Sequence, residues 1–132
     1  MNILTKDQIL EAKDLQSEAV DVPEWGGSVL VRTMTGADRD AFEASMITTL
    51  PDGTRKPNMT SMRAKLVALT VVDEAGALVF DVTDVDRLSL KSASALERVF
   101  AVAQRINGLG AQAEEIAAKN SVAGPSASST SA

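Results

Sequence analysis

Two short runs of alternating valines, separated by a turn-forming segment, constrain the fold of this 132-residue chain more than any other feature. In Val20–Val22 and Val29–Val31 the valines occupy every second position, which places them on one face of a strand. Pro23 marks the end of the first strand, because proline cannot donate a ladder hydrogen bond. Gly26 and Gly27 are predicted to supply the positive φ angles of a tight reversal, so the sequence predicts a β-hairpin.

A short helix is predicted before the hairpin. Thr5 and Gln8 have the spacing of a capping box, in which each side chain accepts a hydrogen bond from the backbone N–H of the other residue. Ile9, Leu10 and Leu15 then give a rough apolar stripe that runs to about residue 15. The pattern is typical of a helix with one apolar face.

A second capped helix is predicted after the hairpin, from Thr35 to about Leu50. Phe42, Met46 and Leu50 recur every four residues, so they share a face and are predicted to be buried together. Two prolines and a glycine between residues 51 and 58 then predict a solvated loop that is exposed.

Apolar periodicity predicts two further helices. One starts between Asn58 and Thr60, with Met62, Leu66 and Leu69 on its buried stripe. The other has the strongest helix signal of the chain and extends from Ala93 to Asn107, where Asn107–Gly108 supplies a left-handed cap. Its predicted buried residues are Leu96, Val99, Phe100, Ala103 and Ile106.

The segment between these helices carries shorter signals. Val71–Val72 either ends the third helix or continues into a strand, and residues 73–76 form a turn. Leu78–Phe80 predicts a brief third strand or an extended connection. The acidic residues between 81 and 86 lack the spacing of a calcium-binding loop, and they are better explained as a helix start capped by Thr83.

These elements predict an α+β fold, in which a small β-hairpin or short antiparallel sheet packs against a mainly helical domain. Residues 1–110 are predicted to form one compact domain. Residues 111–120 have high helix propensity but one large apolar side chain, which predicts a loosely docked helix. Residues 121–132 are uncharged and rich in serine and alanine, which predicts a disordered C-terminal tail.

Composition excludes most catalytic designs. The chain has no histidine, cysteine or tyrosine, so no thiol or imidazole is available as a nucleophile or near-neutral proton carrier, and neither an enzyme activity nor a cofactor is expected. No metal site is expected from the acidic residues. A net charge of −5 disfavours nucleic acid as a partner, and the absence of a long apolar run disfavours a membrane.

A few residues are candidates for contacts with a partner protein. Trp25 is either a lid over the core or an exposed anchor, since tryptophan is enriched at interface hot spots. Arg55 and Lys56, in the predicted loop, either contact an acidic partner or are simply solvated. In the weakly anchored segment 111–119, the candidate residues are Glu114, Glu115 and Ile116.

Several stretches occur in an order that resembles a known family: Leu4–Leu10, Val20–Arg32, Thr35–Gly36, Arg39–Phe42, Leu66–Gly76 and Leu96–Arg105. Together they resemble the tail assembly chaperones of long-tailed bacteriophages, over about residues 3 to 120. The resemblance implies a protein of the host bacterial cytoplasm that binds the tape measure protein, recruits tail tube subunits and is absent from the mature virion. It does not imply catalysis, and self-association into a homo-oligomer would suit a coat on a filamentous client.

Many members of that family have a second product, made by a programmed frameshift, whose added domain contacts the tail tube protein. Ala118-Lys119-Asn120 is compatible with a slippery run of adenines, which would leave residues 121–132 as the unshifted end. Two other classes of function stay open. The chain is alternatively a structural tail component retained in the virion, such as a terminator or connector, or a small regulatory binding protein encoded by a prophage.

Overall fold

The computed structural model describes residues 2–109, where a small antiparallel sheet packs against helices. In chain order the elements are α1 (Lys6–Glu11), β1 (Ser17–Val22), β2 (Gly27–Arg32), α2 (Gly36–Ser45), β3 (Ile47–Thr49), β4 (Arg55–Pro57), α3 (Met62–Thr70), β5 (Val71–Val72), α4 (Val85–Leu88) and α5 (Ala93–Ile106). The predicted α+β class is confirmed. The predicted helix at 111–120 and the predicted disordered tail at 121–132 lie outside the described residues.

The predicted hairpin is confirmed. Strand β1 pairs antiparallel with β2, with Val20 opposite Val29 and Val22 opposite Gly27. Strand β5 adds a third strand on the other side of β2, where Val31 lies opposite Val71. Val22 and Val31 are fully buried, because the alternation of the two strands directs these side chains toward the helices.

The turn of the hairpin differs from the prediction in one respect. The chain leaves β1 through a 3₁₀ turn at Pro23–Trp25, and Gly26 follows with a φ of 78°. Gly27 does not have a positive φ and is already the first residue of β2. Only the first of the two glycines therefore needs the conformational freedom that glycine provides.

Replacing Gly26 with alanine is expected to destabilise the domain by about 1–2 kcal/mol, because a Cβ makes the left-handed conformation costly. No atom lies within 4 Å of the position that a Cβ would occupy at either glycine, so crowding does not contribute. Gly27→Ala is the matched control and should change the free energy of unfolding by no more than about 0.5 kcal/mol. Urea titration of both variants measures the difference, and equal losses would contradict this account of the turn.

The predicted second helix is too long. Helix α2 ends at Ser45, whose hydroxyl donates to the carbonyl of Phe42, 2.7 Å away. Its cap at Thr35 is confirmed, but the β-branched run Ile47–Thr49 forms β3 and pairs with β4. Phe42 is buried as predicted, while Met46 and Leu50 are only half-buried because they lie beyond the helix.

The predicted solvated loop at residues 51–58 is wrong in part, because it contains the second strand of this small hairpin. Arg55–Pro57 forms β4, and Arg55 and Lys56 are exposed on it. The turn between the strands is closed by Leu50, whose amide donates to the carbonyl of Thr54 over 2.7 Å. Pro51 and Gly53 therefore mark a β-turn between paired strands, whereas Pro57 is the last residue of β4.

Helices α3 and α5 form the helical half of the core. Helix α3 starts at Met62, after Ser61 with a φ of 55°, two residues later than the latest start predicted from the capping residues. Leu66 and Val67 are completely buried, since α3 packs against α5 on one side and the sheet on another. In α5 the periodicity prediction holds, although Ile106 is half-buried; its buried residues are Ala95, Leu96, Val99, Phe100 and Ala103.

The C-terminal end of α5 is attached to the segment that follows β2. Asn107 ends the helix and Gly108 follows with a φ of 71°, as the sequence predicts. The side-chain amide of Asn107 accepts a hydrogen bond from the Met34 backbone over 2.7 Å and donates to the Ala103 carbonyl over 2.8 Å. This one side chain therefore joins the C-terminal end of α5 to the connection between β2 and α2.

The segment between β5 and α5 is irregular. Leu78–Phe80 forms a single bridge to Val72 and otherwise an extended connection, one of the two predicted outcomes. Thr83 is not the cap of the following turn, which corrects the sequence-based assignment. Asp81 caps it by accepting a hydrogen bond from the Thr83 backbone over 2.8 Å, and Asp84 completes the capping box.

Candidate functional site

Residues 2–16 form an apolar arm, in which every residue is exposed, and hydrogen bonds between Gln16 and Thr33 join its end to the rest of the domain. The capping box is confirmed, with the Thr5 amide 2.9 Å from Gln8 Oε1 and the Gln8 amide 3.2 Å from Thr5 Oγ1. The helix ends at Glu11, earlier than predicted. Ile9 is 56% exposed and Leu10 is 74% exposed, so the apolar stripe read from the sequence does not face the core of its own domain.

A six-residue helix with no buried residue gains little stability from its own hydrogen bonds. Large aliphatic side chains that are exposed together on one segment are typical of a surface that binds another molecule. The exposed aliphatic residues of the arm are Ile3, Leu4, Ile9, Leu10 and Leu15. The arm is therefore one candidate surface for binding another polypeptide.

A second candidate surface, the Trp25 groove, lies at the turn of the β1–β2 hairpin and has a volume of about 870 Å³. Its apolar residues come from three separate segments: Trp25 from the hairpin turn, Val79 and Phe80 from the extended connection, and Leu88 and Leu90 from α4 and the residues after it. Its charged border consists of Glu24, Asp84, Arg87 and Lys91.

Trp25 has features of both interpretations that the sequence left open. Its side chain is half-buried and packs against the hydrophobic core, as a lid would. It also lines the groove, so part of the ring is available to a partner. Pro23 opens the 3₁₀ turn that holds this side chain, and its fixed φ suits the first position of such a turn.

Glu24 fixes the border of the groove to α5. Its carboxylate accepts hydrogen bonds from the Ser94 hydroxyl over 2.7 Å and from the Arg98 guanidinium over 3.0 Å. The Ser94 hydroxyl is the largest cause that lowers the pKa of Glu24 from its ordinary value of 4.5, and the backbone amide of Glu24 and Arg98 act in the same direction. The ionised carboxylate thus stabilises the contact between the hairpin turn and the start of α5.

Because folding lowers the pKa of Glu24, its contribution is present above about pH 4.5 and is lost as the pH falls through the lower pKa of the folded state. Glu24→Gln is therefore expected to reduce the loss of melting temperature between about pH 5 and pH 3. Thermal melts across this range measure the effect. Glu11→Gln, on the arm, is the control of equal charge change, and identical pH profiles for the two variants would contradict the assignment.

A second cleft of about 750 Å³ lies beside the Trp25 groove. Its apolar residues include Met59, Met62 and Leu96, and Met59 is 58% exposed. Lys91 lines both this cleft and the Trp25 groove, so the two depressions meet at that residue. Glu97, on its border, pairs with Arg63 over 2.7 Å.

The residues predicted as partner contacts do not come together in one site. Trp25 lies in the groove, whereas Arg55 and Lys56 lie on β4 and line neither cleft. The remaining predicted contact residues, Glu114, Glu115 and Ile116, lie outside the described residues. Phe80, Leu90, Lys91 and the arm were not predicted as contact residues. Leu90 was recognisable as a large aliphatic residue outside every predicted buried stripe, whereas the residues of the arm lay on a predicted stripe.

Residues 2–109 contain neither a cluster of metal ligands nor a membrane-spanning helix. In the part of the chain that the structure describes, no three acidic side chains lie close enough together to hold a metal ion. None of the helices between residues 2 and 109 is long and apolar enough to cross a lipid bilayer.

The chain is similar to proteins of phage tail assembly. The model of a family described as phage tail assembly chaperone matches residues 5–119. The solved structure of the bacteriophage HK97 tail assembly chaperone superposes with a TM-score of 0.50 at 19% sequence identity, covering 74% of this chain and 88% of that one, which supports a shared fold. No curated protein sequence matches the chain. Because the family model spans most of its length, the chain belongs to the phage tail assembly chaperone family.

Proposed function

We propose that this protein binds the tape measure protein in the host bacterial cytoplasm during tail assembly, and that it recruits tail tube subunits to that client. The observation that carries the proposal is the apolar arm, whose large aliphatic side chains are all exposed in the part of the chain that the structure describes. Membership of the chaperone family gives this exposure a purpose, since a chaperone must present apolar surface to a client.

The proposed action is physical and requires neither catalysis nor a cofactor. A tape measure chain exposes long helical and apolar surface before the tail tube encloses it, and transient apolar contacts would keep that chain soluble. The acidic net charge of −5 would add repulsion between coated clients. Self-association along the client is part of the proposal, and light scattering of the purified protein measures it.

Recruitment of the tail tube protein is proposed to depend on a longer product made by frameshifting near codons 118–120. The nucleotide sequence tests this step directly, because a slippery heptamer must be present at those codons. If no such heptamer is present, the longer product is refuted, and client binding alone remains the proposed function of this chain.

The arm offers a direct test of client binding. Changing both Ile9 and Leu10 to aspartate is expected to lower capture of the tape measure protein by about tenfold or more, because burial of each aliphatic side chain contributes about 1.5–3 kcal/mol. The melting temperature should stay the same, since neither side chain is buried in the domain. Co-expression with the tape measure protein, followed by pull-down, measures capture. Lys13→Asp on the same arm is the control, and equal capture by all three proteins would contradict the proposal.

Two measurements separate this function from the alternatives. A structural tail component would remain in purified virions and be found there by mass spectrometry, whereas the proposed chaperone would be absent. A prophage-encoded regulator would not capture the tape measure product, and its gene would not lie between genes for the tail tube protein and a very long tape measure protein.

A further inference from the structure

We propose that the Trp25 groove and the cleft beside it act as one docking surface for an amphipathic helix of the client, whose apolar face is bordered by carboxylates. The two depressions meet at Lys91, which lines both. This inference rests on the proposed function and names the part of the client that the surface recognises.

The floor of this docking surface is suited to an apolar partner. Leu90 is 85% exposed and Val79 is also exposed, while Trp25 and Phe80 are half-buried beside them. Met59 extends the apolar surface into the second cleft. Aromatic and flexible aliphatic side chains of this kind can pack against many apolar helices, which suits a client with varied sequence.

Some of the charged side chains on the border of the docking surface already have a partner within the protein, and others do not. The side chains of Arg87 and Lys91 have no ion-pair or hydrogen-bond partner among residues 2–109. In contrast, Glu24 is paired with Arg98, and Glu97 is paired with Arg63. Asp84 already accepts a hydrogen bond from the Asp81 amide over 3.0 Å. The surface therefore offers two unpaired cations on a protein of net charge −5, and a client helix with acidic edges complements them.

The arm of a second copy is the competing occupant, because it combines aliphatic residues with Asp7 and Glu11. Its helix has only six residues and is about 9 Å long, which is less than two turns. Helical geometry also places Lys6 between Ile9 and Leu10 on the apolar face, where it would oppose Lys91. A longer client helix avoids both problems, so the observations favour the client.

Overlapping peptides of about 25 residues from the tape measure product test the assignment. Binding is followed by the fluorescence of Trp25, the single tryptophan of the chain, and by calorimetry. The tightest peptides are expected to have an apolar helical stripe flanked by Asp or Glu. Changing Arg87 and Lys91 together to glutamate should weaken these peptides by about tenfold or more. Peptides with lysine in place of the flanking carboxylates should then bind the double variant better than the natural protein.

The control is the double variant Arg55→Glu with Lys56→Glu, which makes the same charge change on β4, away from both clefts. Its affinity for the peptides should match that of the natural protein. The inference is overturned if both double variants bind alike, if peptides without acidic residues bind equally well, or if a peptide of residues 2–16 displaces the client peptides at equal concentration.

Failure of this inference and failure of the proposed function give different results with the full-length client. If Arg87→Glu with Lys91→Glu captures the intact tape measure product as well as the natural protein does, the docking surface is wrong and the function stands. If the natural protein captures no tape measure product, both the function and the docking surface are refuted.

Discussion

Replacing Leu66 with alanine is expected to lower the free energy of unfolding by about 2–5 kcal/mol. Leu66 is completely buried in α3, the helix that packs against both α5 and the sheet. The smaller side chain would leave a cavity at the centre of the domain, because the surrounding helices cannot close over it without losing their own contacts.

Urea denaturation followed by circular dichroism and by Trp25 fluorescence measures this loss, and coincident transitions test that the domain unfolds in one step. Leu90→Ala is the matched control, because it makes the same chemical change at a residue that is 85% exposed. Its effect should be within about 0.5 kcal/mol. A loss of similar size for both leucines would contradict the position of α3 at the centre of the core.

Trp25→Ala is expected to have the largest effect on client capture, a loss of about 30-fold or more, which corresponds to about 2 kcal/mol at an interface hot spot. The ring lines the groove and also packs against the core, so a loss of thermal stability should accompany the loss of binding. Titration with a client peptide, monitored by calorimetry because the variant lacks tryptophan, gives the affinity.

Trp25→Phe is the matched variant for this test, since phenylalanine keeps an aromatic ring over the core while removing part of the contact area. It should recover most of the thermal stability and only part of the affinity. If Trp25→Ala loses stability but binds the client peptide with unchanged affinity, the ring acts only as a lid over the core and the hot-spot assignment is wrong.

Local signals predicted the elements whose causes are local. The alternation of valines around Pro23 specified the β1–β2 hairpin, and the apolar stripe from Leu96 to Ala103 specified α5. In both cases one short stretch of chain contains the pattern, the cap or turn, and the buried face. Such elements are predictable because the residues that determine them are close together in the chain.

The error in α2 arose where a second segment with little strand signal of its own decides the outcome. The four-residue spacing of Phe42, Met46 and Leu50 continues a helical pattern, but pairing between Ile47–Thr49 and Arg55–Pro57 overrides it. The sequence of the second strand, with its two charges, carries little strand signal of its own. Strand pairing of this kind depends on contacts that periodicity does not report.

Of the residues that line the Trp25 groove, only Trp25 itself was predictable from the sequence. A lone tryptophan at a hairpin turn is recognisable in sequence, but Phe80 and Leu90 join it only after three segments have been brought together. For the arm, periodicity identified an apolar stripe and could not indicate whether the partner surface belongs to the same molecule. The structure leaves Ile9 and Leu10 exposed, and this exposure is the basis for proposing the client as their partner.

The length of the first hairpin sets a spacing for any client that contacts both ends of it. The arm joins the start of β1, whereas Trp25 follows its end, and a strand of six residues spans about 20 Å. That length equals the rise of about 13 residues of α-helix. A helical client that contacts both the arm and Trp25 of one molecule would therefore be protected from proteolysis at sites about 13 residues apart. Proteolytic footprinting along the client sequence would show this spacing.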